Sequence, residues 1–433
     1  MPPKLTYTPV ERPPIPRGTY LVVGLGKSGQ AAARLLAARG HRVIAVDSGS
    51  PQGADTLGDF GVETHLQTDG VEYVDEIDVL VKSPGVPQEI PAVEAARAEG
   101  KELFGEFELG WRLLPNPVIA VTGTNGKTTT TELLGQIYRD AGLPVVVAGN
   151  VGTPLSEYVG NIDPQATIIA EVSSYQSEDS PEFAPECGVL LNVKPDHIDR
   201  HGSFERYRAA KLEMFAGQHE GQFAVIGPSI DFEIPGEART YHVPQPDLAK
   251  VGDSIALQGA HNKENALIAT QAAMLMGVDP LSISRTLATF AGLPHRVELV
   301  GVRRGVSYVN DSKATNVAAT VAALGGFEKN ARLVIGGSAK GEDLSELRPA
   351  VEAACAVVYL NGATAPQLEA ALDGADVRIA SFETLEEAFR AAAGEAEAGE
   401  TVLLSPAAAS FDQFKNYEAR GDAFRELFAA LAS

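Results

Sequence analysis

One stretch constrains the fold of this chain more than any other, and it spans residues 117–131. An apolar run rich in β-branched residues at 118–121 predicts a buried strand, and the turn Gly-Thr-Asn-Gly-Lys-Thr follows at 123–128. A helix is predicted from Thr128 to about Gly142. A glycine-rich turn between a strand and a helix N-terminus presents free backbone N–H groups and the positive end of the helix dipole to an anion. The stretch therefore predicts an α/β fold with a phosphate-binding loop.

The loop departs from the common spacing of phosphate loops, because Val121 stands where that spacing requires glycine. Lys127 supplies a point charge for phosphate oxygens, and the Thr128 hydroxyl is of the kind that binds Mg²⁺. The alternative is an ordinary strand-to-helix turn with a surface lysine. Gly-Lys-Thr directly after a strand favours a bound nucleoside triphosphate with Mg²⁺.

Length, charge and cysteine content narrow the class of protein. A chain of 433 residues predicts about three domains. It contains no run of 18 apolar residues, so no membrane span is expected. The net charge of −22 disfavours nucleic acid and anionic membrane surfaces as partners. The only two cysteines, Cys187 and Cys355, predict a reducing cytoplasmic location without a disulfide. Residues 1–18 are rich in proline and lack the apolar segment of a signal peptide, so we expect a loose arm.

The first segment, residues 1–106, has the pattern of a Rossmann-like domain. A strand at 19–23 precedes Gly-Leu-Gly-Lys-Ser-Gly at 24–29, and a second strand ends at Asp47. This fingerprint favours a dinucleotide or another nucleotide near the glycine turn, and taken alone it indicates an NAD-dependent dehydrogenase. A later strand ends at the turn Ser83-Pro84-Gly85, where ligands of such sheets collect.

The middle segment, residues 107–292, adds acidic and imidazole groups to the phosphate loop. Glu171 ends a buried strand and is placed to hold Mg²⁺, and residues 194–201 contain two histidines and two aspartates. A zinc hydrolase is one interpretation of that cluster, and a single histidine assisting a Mg²⁺ site is the favoured one. Asn262 and Asn265 share a helix face and could bind a purine edge.

The last segment, residues 293–433, repeats the pattern of strands that end in small polar turns. These turns begin near Asn310, Gly336 and Ser405. Arg296, Lys313 and Lys340 are the cations expected to gather around phosphates in an acidic chain. The predicted fold class is α/β with three domains: a Rossmann-like N-terminal domain, a central P-loop ATPase domain with a mostly parallel sheet, and a Rossmann-like C-terminal domain.

The motifs together resemble the Mur ligase family, which also includes the folylpolyglutamate synthetases. The resemblance covers the chain after about residue 18. It rests on the loop at 123–129, Glu171 with Ser173 and Ser174, the segments 192–199 and 207–211, His261 with Asn262 and Asn265, His295 with Arg296, and the segment 310–316. The ending at 405–421 resembles the D-glutamate-adding member, and the L-alanine-adding member is the alternative.

This resemblance implies a cytoplasmic ligase of peptidoglycan biosynthesis. ATP would phosphorylate the carboxylate of UDP-N-acetylmuramoyl-L-alanine, and D-glutamate would attack the resulting acyl phosphate. We expect a monomer with these small-molecule substrates and neither nucleic acid nor membrane as partner. Two other classes stay open, the dehydrogenase and a nucleotide-regulated binding protein without catalysis.

The resemblance also implies roles for individual residues. The implied catalytic residues are Lys127, Glu171, His197, Lys211 and Lys340. The implied ATP-binding residues are Gly123, Thr124, Asn125, Gly126, Lys127, Thr128, Thr129, Asn262, Arg296, Asp311 and Lys313. The implied UDP-sugar contacts are Ser28, Asp47, Ser48, Ser83, Gly85, Asn150 and His197, and the D-glutamate contacts are Thr315, Lys340, Ser410, Phe411 and Tyr417. Two Mg²⁺ ions would be held by Thr128, Glu171, His197 and a carbamylated Lys211.

Overall fold

The structure is a computed structural model that describes residues 7–245, 255–257, 260–339 and 343–431. Three sheets follow one another along the chain, each with helices between its strands. The chain divides into two compact units. The first contains residues 1–246 and 264–286, and the second contains residues 247–263 and 287–433.

The first sheet has five parallel strands in the order β3-β2-β1-β4-β5. Its strands are β1 (Thr19–Val23), β2 (Arg42–Asp47), β3 (Glu63–Leu66), β4 (Val79–Lys82) and β5 (Glu102–Gly105). Its helices are α1 (Lys27–Ala38), α2 (Pro91–Ala98) and α3 (Glu106–Leu113). The strand order reverses between β1 and β4, and ligands of such sheets bind at that point.

The second sheet has six parallel strands in the order β11-β10-β9-β6-β8-β7. Its strands are β6 (Val118–Thr122), β7 (Val145–Gly149), β8 (Thr167–Glu171), β9 (Cys187–Leu190), β10 (Phe223–Ile226) and β11 (Arg239–His242). The helices along this segment are α4 (Lys127–Asp140), α5 (Ser174–Glu178), α6 (Ile198–His201), α7 (Phe204–Ala216), α8 (Ala260–Leu275) and α9 (Pro280–Thr289). Every residue of β6 and β8 is buried, as their apolar sequences predict.

The third sheet, in the second unit, has the order β12-β13-β17-β14-β15-β16. Its strands are β12 (Glu298–Arg303), β13 (Val306–Asn310), β14 (Ala331–Gly336), β15 (Cys355–Asn361), β16 (Arg378–Ser381) and β17 (Thr401–Leu404). Only the edge pair of β12 and β13 is antiparallel among these described strands. The helices are α10 (Val317–Leu324), α11 (Leu347–Ala354), α12 (Ala365–Ala371), α13 (Leu385–Glu395) and α14 (Tyr417–Ala430).

The arm before β1 lies against the second sheet over its described residues, so the prediction of a loose arm is wrong there. Thr8 N donates to Gly221 O at 2.9 Å, and Val10 N donates to Glu186 Oε1 at 3.0 Å. The Arg12 guanidinium donates to Asn116 O at 2.5 Å and lies 5.3 Å from the centre of the Trp111 ring. Prolines keep the arm extended, and polar groups far along the chain hold it.

The predicted boundary near residue 106 separates two sheets that lie within one compact unit, whereas the change of unit at residues 286–287 falls close to the predicted boundary near 292. Among the described residues, no helix combines the length and the apolar character that crossing a membrane requires.

Candidate active site

The phosphate loop has the backbone geometry that its glycines predict. Gly123 and Gly126 have positive φ angles of 156° and 85°, and α4 begins at Lys127. Asn192, two residues beyond the end of β9, supports the loop, because its Oδ1 accepts from Asn125 N at 3.0 Å and its Nδ2 donates to Asn125 O at 3.1 Å. Asn265, in α8, lies against the loop, and a Cβ at Gly126 would lie 2.6 Å from its Oδ1, so the side chain of Asn265 would have to move. The loop is therefore preorganised by its neighbours.

Two lysines converge on one carbonyl oxygen of this loop. Lys127 Nζ donates to Gly123 O at 2.8 Å, and Lys211 Nζ donates to the same oxygen at 2.9 Å. Lys211 is fully buried and lies over the Tyr207 ring, with Nζ 4.6 Å from its centre. Burial, and then the positive charge of Lys127, lower the pKa of Lys211 well below its usual range. Lys211 is therefore much more available as an uncharged amine than a surface lysine is.

The predicted magnesium ligands Thr128 and Glu171 are in direct contact. Thr128 Oγ1 donates to Glu171 Oε2 at 2.5 Å, and Asn150 Nδ2 donates to Glu171 Oε1 at 2.9 Å. Glu171 is only 3% exposed, although it is a carboxylate at the end of β8. A hydroxyl and a carboxylate beside a phosphate loop form the oxygen donor set that Mg²⁺ prefers.

His197, predicted as a further metal ligand, lies at the start of α6 with a positive φ of 51°. Its side chain is 49% exposed, and its Nε2 is 3.7 Å from Asp196 Oδ2. The ring lies 6.3 Å from that of Tyr207, whose hydroxyl is 3.1 Å from Thr124 Oγ1. His201, by contrast, is buried with its Nε2 3.0 Å from Ser174 Oγ. The exposed histidine is therefore the one accessible to a ligand.

Five of the seven predicted UDP-sugar residues line a cleft of about 430 Å³ in the first unit. Its walls include Ser28, Asp47, Ser83, Gly85 and Asn150, so the structure brings together residues from both sheets of this unit. Ser48 is exposed, and neither Ser48 nor His197 is among the residues that line the cleft. Lys27 and Gln176 also line it, and the sequence analysis did not assign them a role.

Asp47 has a role in the loop itself. Its Oδ2 accepts from Leu25 N at 2.6 Å, and its Oδ1 accepts from Gly49 N at 2.7 Å. The carboxylate thus ties the glycine turn to the end of β2. A ligand must share these oxygens with two backbone donors, which makes the fingerprint a weak indication of a dinucleotide.

In the second unit, Asp311 directly follows β13 and is buried. Its Oδ2 accepts from Ser405 Oγ at 2.8 Å, and its Oδ1 accepts from Val297 N at 3.2 Å. Burial raises the pKa of Asp311 to about 7, against the hydrogen bonds and the nearby charge of Arg296, which lower it. His295 and Val297 adopt positive φ angles of 64° and 47°. Such strain in residues with a Cβ is typical of functional segments.

The described residues predicted to bind D-glutamate lie after β13, after β17 and at the start of α14 of the same unit. Lys313 Nζ lies 4.0 Å from the centre of the Tyr417 ring. Ser410 is buried, Thr315 is half-buried and Phe411 is 74% exposed. Lys340 lies outside the described residues, so its place in this group stays a prediction. Asn262, predicted to contact adenine, is half-buried in the first turn of α8.

Arg420 holds these turns together, and the sequence analysis assigned it no role. It is 3% exposed and donates to Ser312 Oγ and O, and to the carbonyl oxygens of Ala408 and Ala409, at 2.8–3.1 Å. Burial lowers its pKa to about 10. An arginine one turn into a helix reads as a surface charge from sequence, and only the packing around it shows otherwise.

The described residues contain no group of three or more His, Cys, Asp or Glu side chains arranged to hold a metal ion. This does not favour the zinc interpretation of residues 194–201. It is consistent with a site that uses Thr128 and Glu171 together with a bound nucleotide, since Mg²⁺ usually keeps waters and substrate phosphates as ligands. The fold and this site define a phosphate-loop nucleotide-binding protein of the α/β class.

Comparison with known proteins identifies the family. Three family models match: the Mur ligase MurD-like N-terminal domain at residues 18–105, the Mur ligase middle domain at 121–231, and the Mur ligase glutamate ligase domain at 295–408. Proteins named UDP-N-acetylmuramoylalanine--D-glutamate ligase are similar over nearly their whole length. That of Koribacter versatilis is 39% identical over 95% of this chain and 97% of its own, and that of Pelotomaculum thermopropionicum is 39% identical over 96% and 98%. The chain belongs to the Mur ligase family.

Solved structures of lower identity share the fold. A MurF ligase from Thermotoga maritima in complex with ADP has a TM-score of 0.58 at 18% identity and covers 96% of this chain and 95% of its own. A UDP-N-acetylmuramate-alanine ligase from the same organism has a TM-score of 0.56 at 17% identity, covering 96% and 100%. At this identity they support the three-domain α/β architecture alone.

Proposed function

We propose that this chain is the ligase that adds D-glutamate to UDP-N-acetylmuramoyl-L-alanine, with ATP converted to ADP and phosphate, in the cytoplasmic stage of peptidoglycan synthesis. The observation that carries the proposal is the near full-length similarity, at 38–39% identity, to proteins named for that reaction. The contact of Thr128, Glu171 and Asn150 beside the phosphate loop supports it chemically, because one cluster joins the loop to a residue that lines the cleft.

The reaction needs activation because a carboxylate resists attack by an amine. A carboxylate oxygen of the UDP-sugar attacks the γ-phosphorus of ATP, and ADP leaves. The amine of D-glutamate then attacks the acyl phosphate, and phosphate leaves as the amide bond forms and the amine loses a proton. The protein acts mainly by positioning the reactants and stabilising charge.

The phosphate loop would hold the β- and γ-phosphates. Lys127 would exchange its bonds to Gly123 O and Thr124 O, now 2.8 and 2.9 Å, for phosphate oxygens. Thr128, Glu171 and His197 would hold Mg²⁺, which when bound neutralises charge on the phosphates. Thr128 and Glu171 are already in contact, through a hydrogen bond that the ion would replace.

Lys211 would carry a carbamate. Its uncharged amine would add to CO₂ and lose one proton, giving an anionic carbamate beside Lys127 in place of a second cation. Burial and the lowered pKa support this proposal, because the reaction needs the free amine. The carbamate oxygens would then help to hold a second Mg²⁺.

A substitution of Lys211 tests the carbamate. Lys211→Ala should lose activity and regain part of it when short carboxylic acids are added, whereas Lys329→Ala, an exposed lysine of the second unit, should behave as wild type. Absence of rescue at every acid concentration, in a variant that still binds ADP, would contradict the carbamate.

The UDP-sugar would occupy the 430 Å³ cleft beside Ser28, Asp47, Ser83, Gly85 and Asn150. The N-terminus of α1 faces the cleft through Lys27 and Ser28 and offers backbone donors to a diphosphate. Calorimetric titration separates this proposal from the dehydrogenase: we expect UDP to bind and NAD not to bind. NAD binding without UDP binding would reverse the assignment.

The second unit would bind D-glutamate and part of ATP. Lys313, Thr315, Ser410, Phe411, Tyr417 and Lys340 are proposed for the amino acid, and Arg296, Asp311, Lys313 and Asn262 for ATP. Phosphate release in the presence of ATP and UDP-N-acetylmuramoyl-L-alanine should depend on D-glutamate and not on L-alanine. Release with L-alanine and UDP-N-acetylmuramate instead would favour the L-alanine-adding member, and no release with either would favour a binding protein. We also propose a monomer, which sedimentation would check.

A further inference from the structure

A fully buried lysine stands at the end of β4, immediately before the turn at Ser83, Pro84 and Gly85. Lys82 has no exposed surface, and its Nζ is 2.7 Å from Asp179 Oδ2. Asp179 belongs to the segment that follows β8 and is itself 2% exposed. Burial lowers the pKa of Lys82 and raises that of Asp179, and the attraction between the two charges opposes both shifts. The pair joins the first sheet to the second.

The same lysine also fixes the shape of the turn. Lys82 Nζ donates to Val86 O at 2.7 Å, and Val86 N donates back to Ser83 O at 3.0 Å. Arg200 Nη2 donates to the same Val86 oxygen at 3.0 Å. One carbonyl of the turn is thus held by a lysine from its own strand and an arginine from α6.

Asp179 holds two further points of the first sheet. Its Oδ1 accepts from Gln88 Nε2 at 2.7 Å, and its backbone oxygen accepts from Gly105 N at 2.6 Å. We call Lys82, Asp179 and Arg200 the turn clamp. All of its contacts lie within the first compact unit.

The two outer members of the turn clamp lie on the segments that carry proposed metal ligands. Asp179 follows α5, which begins shortly after Glu171, and Arg200 lies in α6 directly after His197. The held turn contains Ser83 and Gly85, which line the proposed UDP-sugar cleft. The turn clamp therefore joins the turn that lines the cleft to the two segments that carry the proposed metal ligands.

We propose that the turn clamp is a positioning device that fixes the UDP-sugar turn at Ser83–Gly85 relative to the phosphate-binding residues. Its purpose rests on the proposed function: the substrate carboxylate is attached to the UDP-sugar, so the position of the turn decides where that carboxylate meets the γ-phosphate. A displacement of about 1 Å at such a site can reduce the rate about 100-fold.

Stability alone does not explain the choice of residues. A buried lysine–aspartate pair contributes little net stability compared with apolar residues of similar volume, because both charges must leave water. Directional bonds from Nζ to Val86 O and from Gln88 to Asp179 are what an apolar pair cannot supply. The geometry of the turn is therefore the property that the charges preserve.

Hydrogen exchange tests the turn clamp independently of activity. The variants are Arg200→Met, which leaves no buried charge unpaired, and the double variant Lys82→Met with Asp179→Leu, which replaces the pair by apolar residues. The Val86 amide should exchange about tenfold faster in both variants, which corresponds to a decrease of about 1.4 kcal/mol in the free energy of local opening. In both variants, peptides from β6 should exchange at the wild-type rate. The control variant is Lys101→Met, which removes a bond from Nζ to Ile77 O at 2.8 Å, and its Val86 amide should also exchange at the wild-type rate. Unchanged exchange at Val86 in both variants would overturn the turn clamp.

Kinetics then test its role in the reaction. Both variants should raise KM for the UDP-sugar about tenfold and lower kcat, while KM for ATP stays within about twofold of wild type. A purely structural pair would change unfolding without this split, so faster exchange with unchanged kinetic constants would overturn the positioning role. A wild-type protein that binds no UDP would overturn the proposed function and the positioning role together, while the exchange data would still decide whether the turn clamp exists.

Discussion

Replacement of Arg12 by methionine should destabilise the first compact unit by about 3 kcal/mol. The Arg12 guanidinium lies 3.7 Å from Glu186 Oε1, and the two side chains are 7% and 2% exposed. At an effective dielectric constant of about 20, two charges at that distance attract by about 4 kcal/mol. Breaking a buried pair by removing one partner costs about 3–5 kcal/mol. Glu186 retains bonds from Val10 N and Val118 N at 3.0 and 2.7 Å, which favours the lower end of that range.

The chain offers its own reporter for this measurement. Trp111 is the single tryptophan, is 1% exposed, and lies under the Arg12 guanidinium. Urea unfolding followed by its fluorescence should show a lower midpoint for Arg12→Met. The matched control is Arg17→Met, an exposed arginine of the same arm, which should differ from wild type by less than about 0.5 kcal/mol.

The pH dependence makes the explanation refutable. Burial raises the pKa of Glu186, and the charge of Arg12 opposes that shift. Without Arg12 the shift is larger, so the folded variant keeps its proton to higher pH than the unfolded chain does. The loss of stability of Arg12→Met relative to wild type should therefore be largest at pH 8 and should decrease on acidification, as the unpaired carboxylate of Glu186 becomes neutral. A loss no greater than that of Arg17→Met, or a deficit that does not change with pH, would refute the reasoning.

Three other predictions follow from the site. Gly126→Ala should weaken ADP binding at least about tenfold by calorimetry, because φ is +85° and the new Cβ would lie 2.6 Å from Asn265 Oδ1; Gly142→Ala, strained but without such contacts, should bind normally. Arg420→Met should lose about 3 kcal/mol in urea unfolding, since it strands buried carbonyl oxygens; a loss under about 1 kcal/mol would contradict this. Because Asp311 stays protonated only in the folded state between pH 3.8 and about 7, the free energy of unfolding of the wild-type protein should fall as the pH rises through this range. Asp311→Asn should remove this dependence on pH, and identical slopes for the variant and the wild type would argue against the prediction.

Local patterns in the sequence predicted most of the fold. The apolar runs at β6 and β8 and the glycine turns before α1 and α4 follow from strand burial and helix geometry, which depend on neighbouring residues. The arm could not be predicted in this way. Its bonds to Glu186, Asn116 and Gly221 join residues far apart in the chain, and proline-rich composition says only that it is extended.

The residues of the candidate site likewise divide into those that local sequence patterns predict and those that they do not. Thr128 and Glu171 were expected to meet because the ends of parallel strands share one edge of the sheet, and they do. The lowered pKa of Lys211 could not be predicted from the sequence, since its burial and its neighbour Lys127 are tertiary properties. Arg420 and Lys82 were missed because a lone cation in a helix or at a strand end has no pattern that reveals what it contacts.

Lys127 and Lys211 meet at the carbonyl oxygen of Gly123. At this distance the charge of Lys127 adds to the effect of burial and lowers the pKa of Lys211. Loss of Lys127 would thus make Lys211 more basic and slow its reaction with CO₂, besides removing a phosphate contact. A variant such as Lys127→Met would then have two defects, a lost phosphate contact and slower formation of the carbamate. The fraction of its activity that high bicarbonate restores would measure how much of the loss came from Lys211.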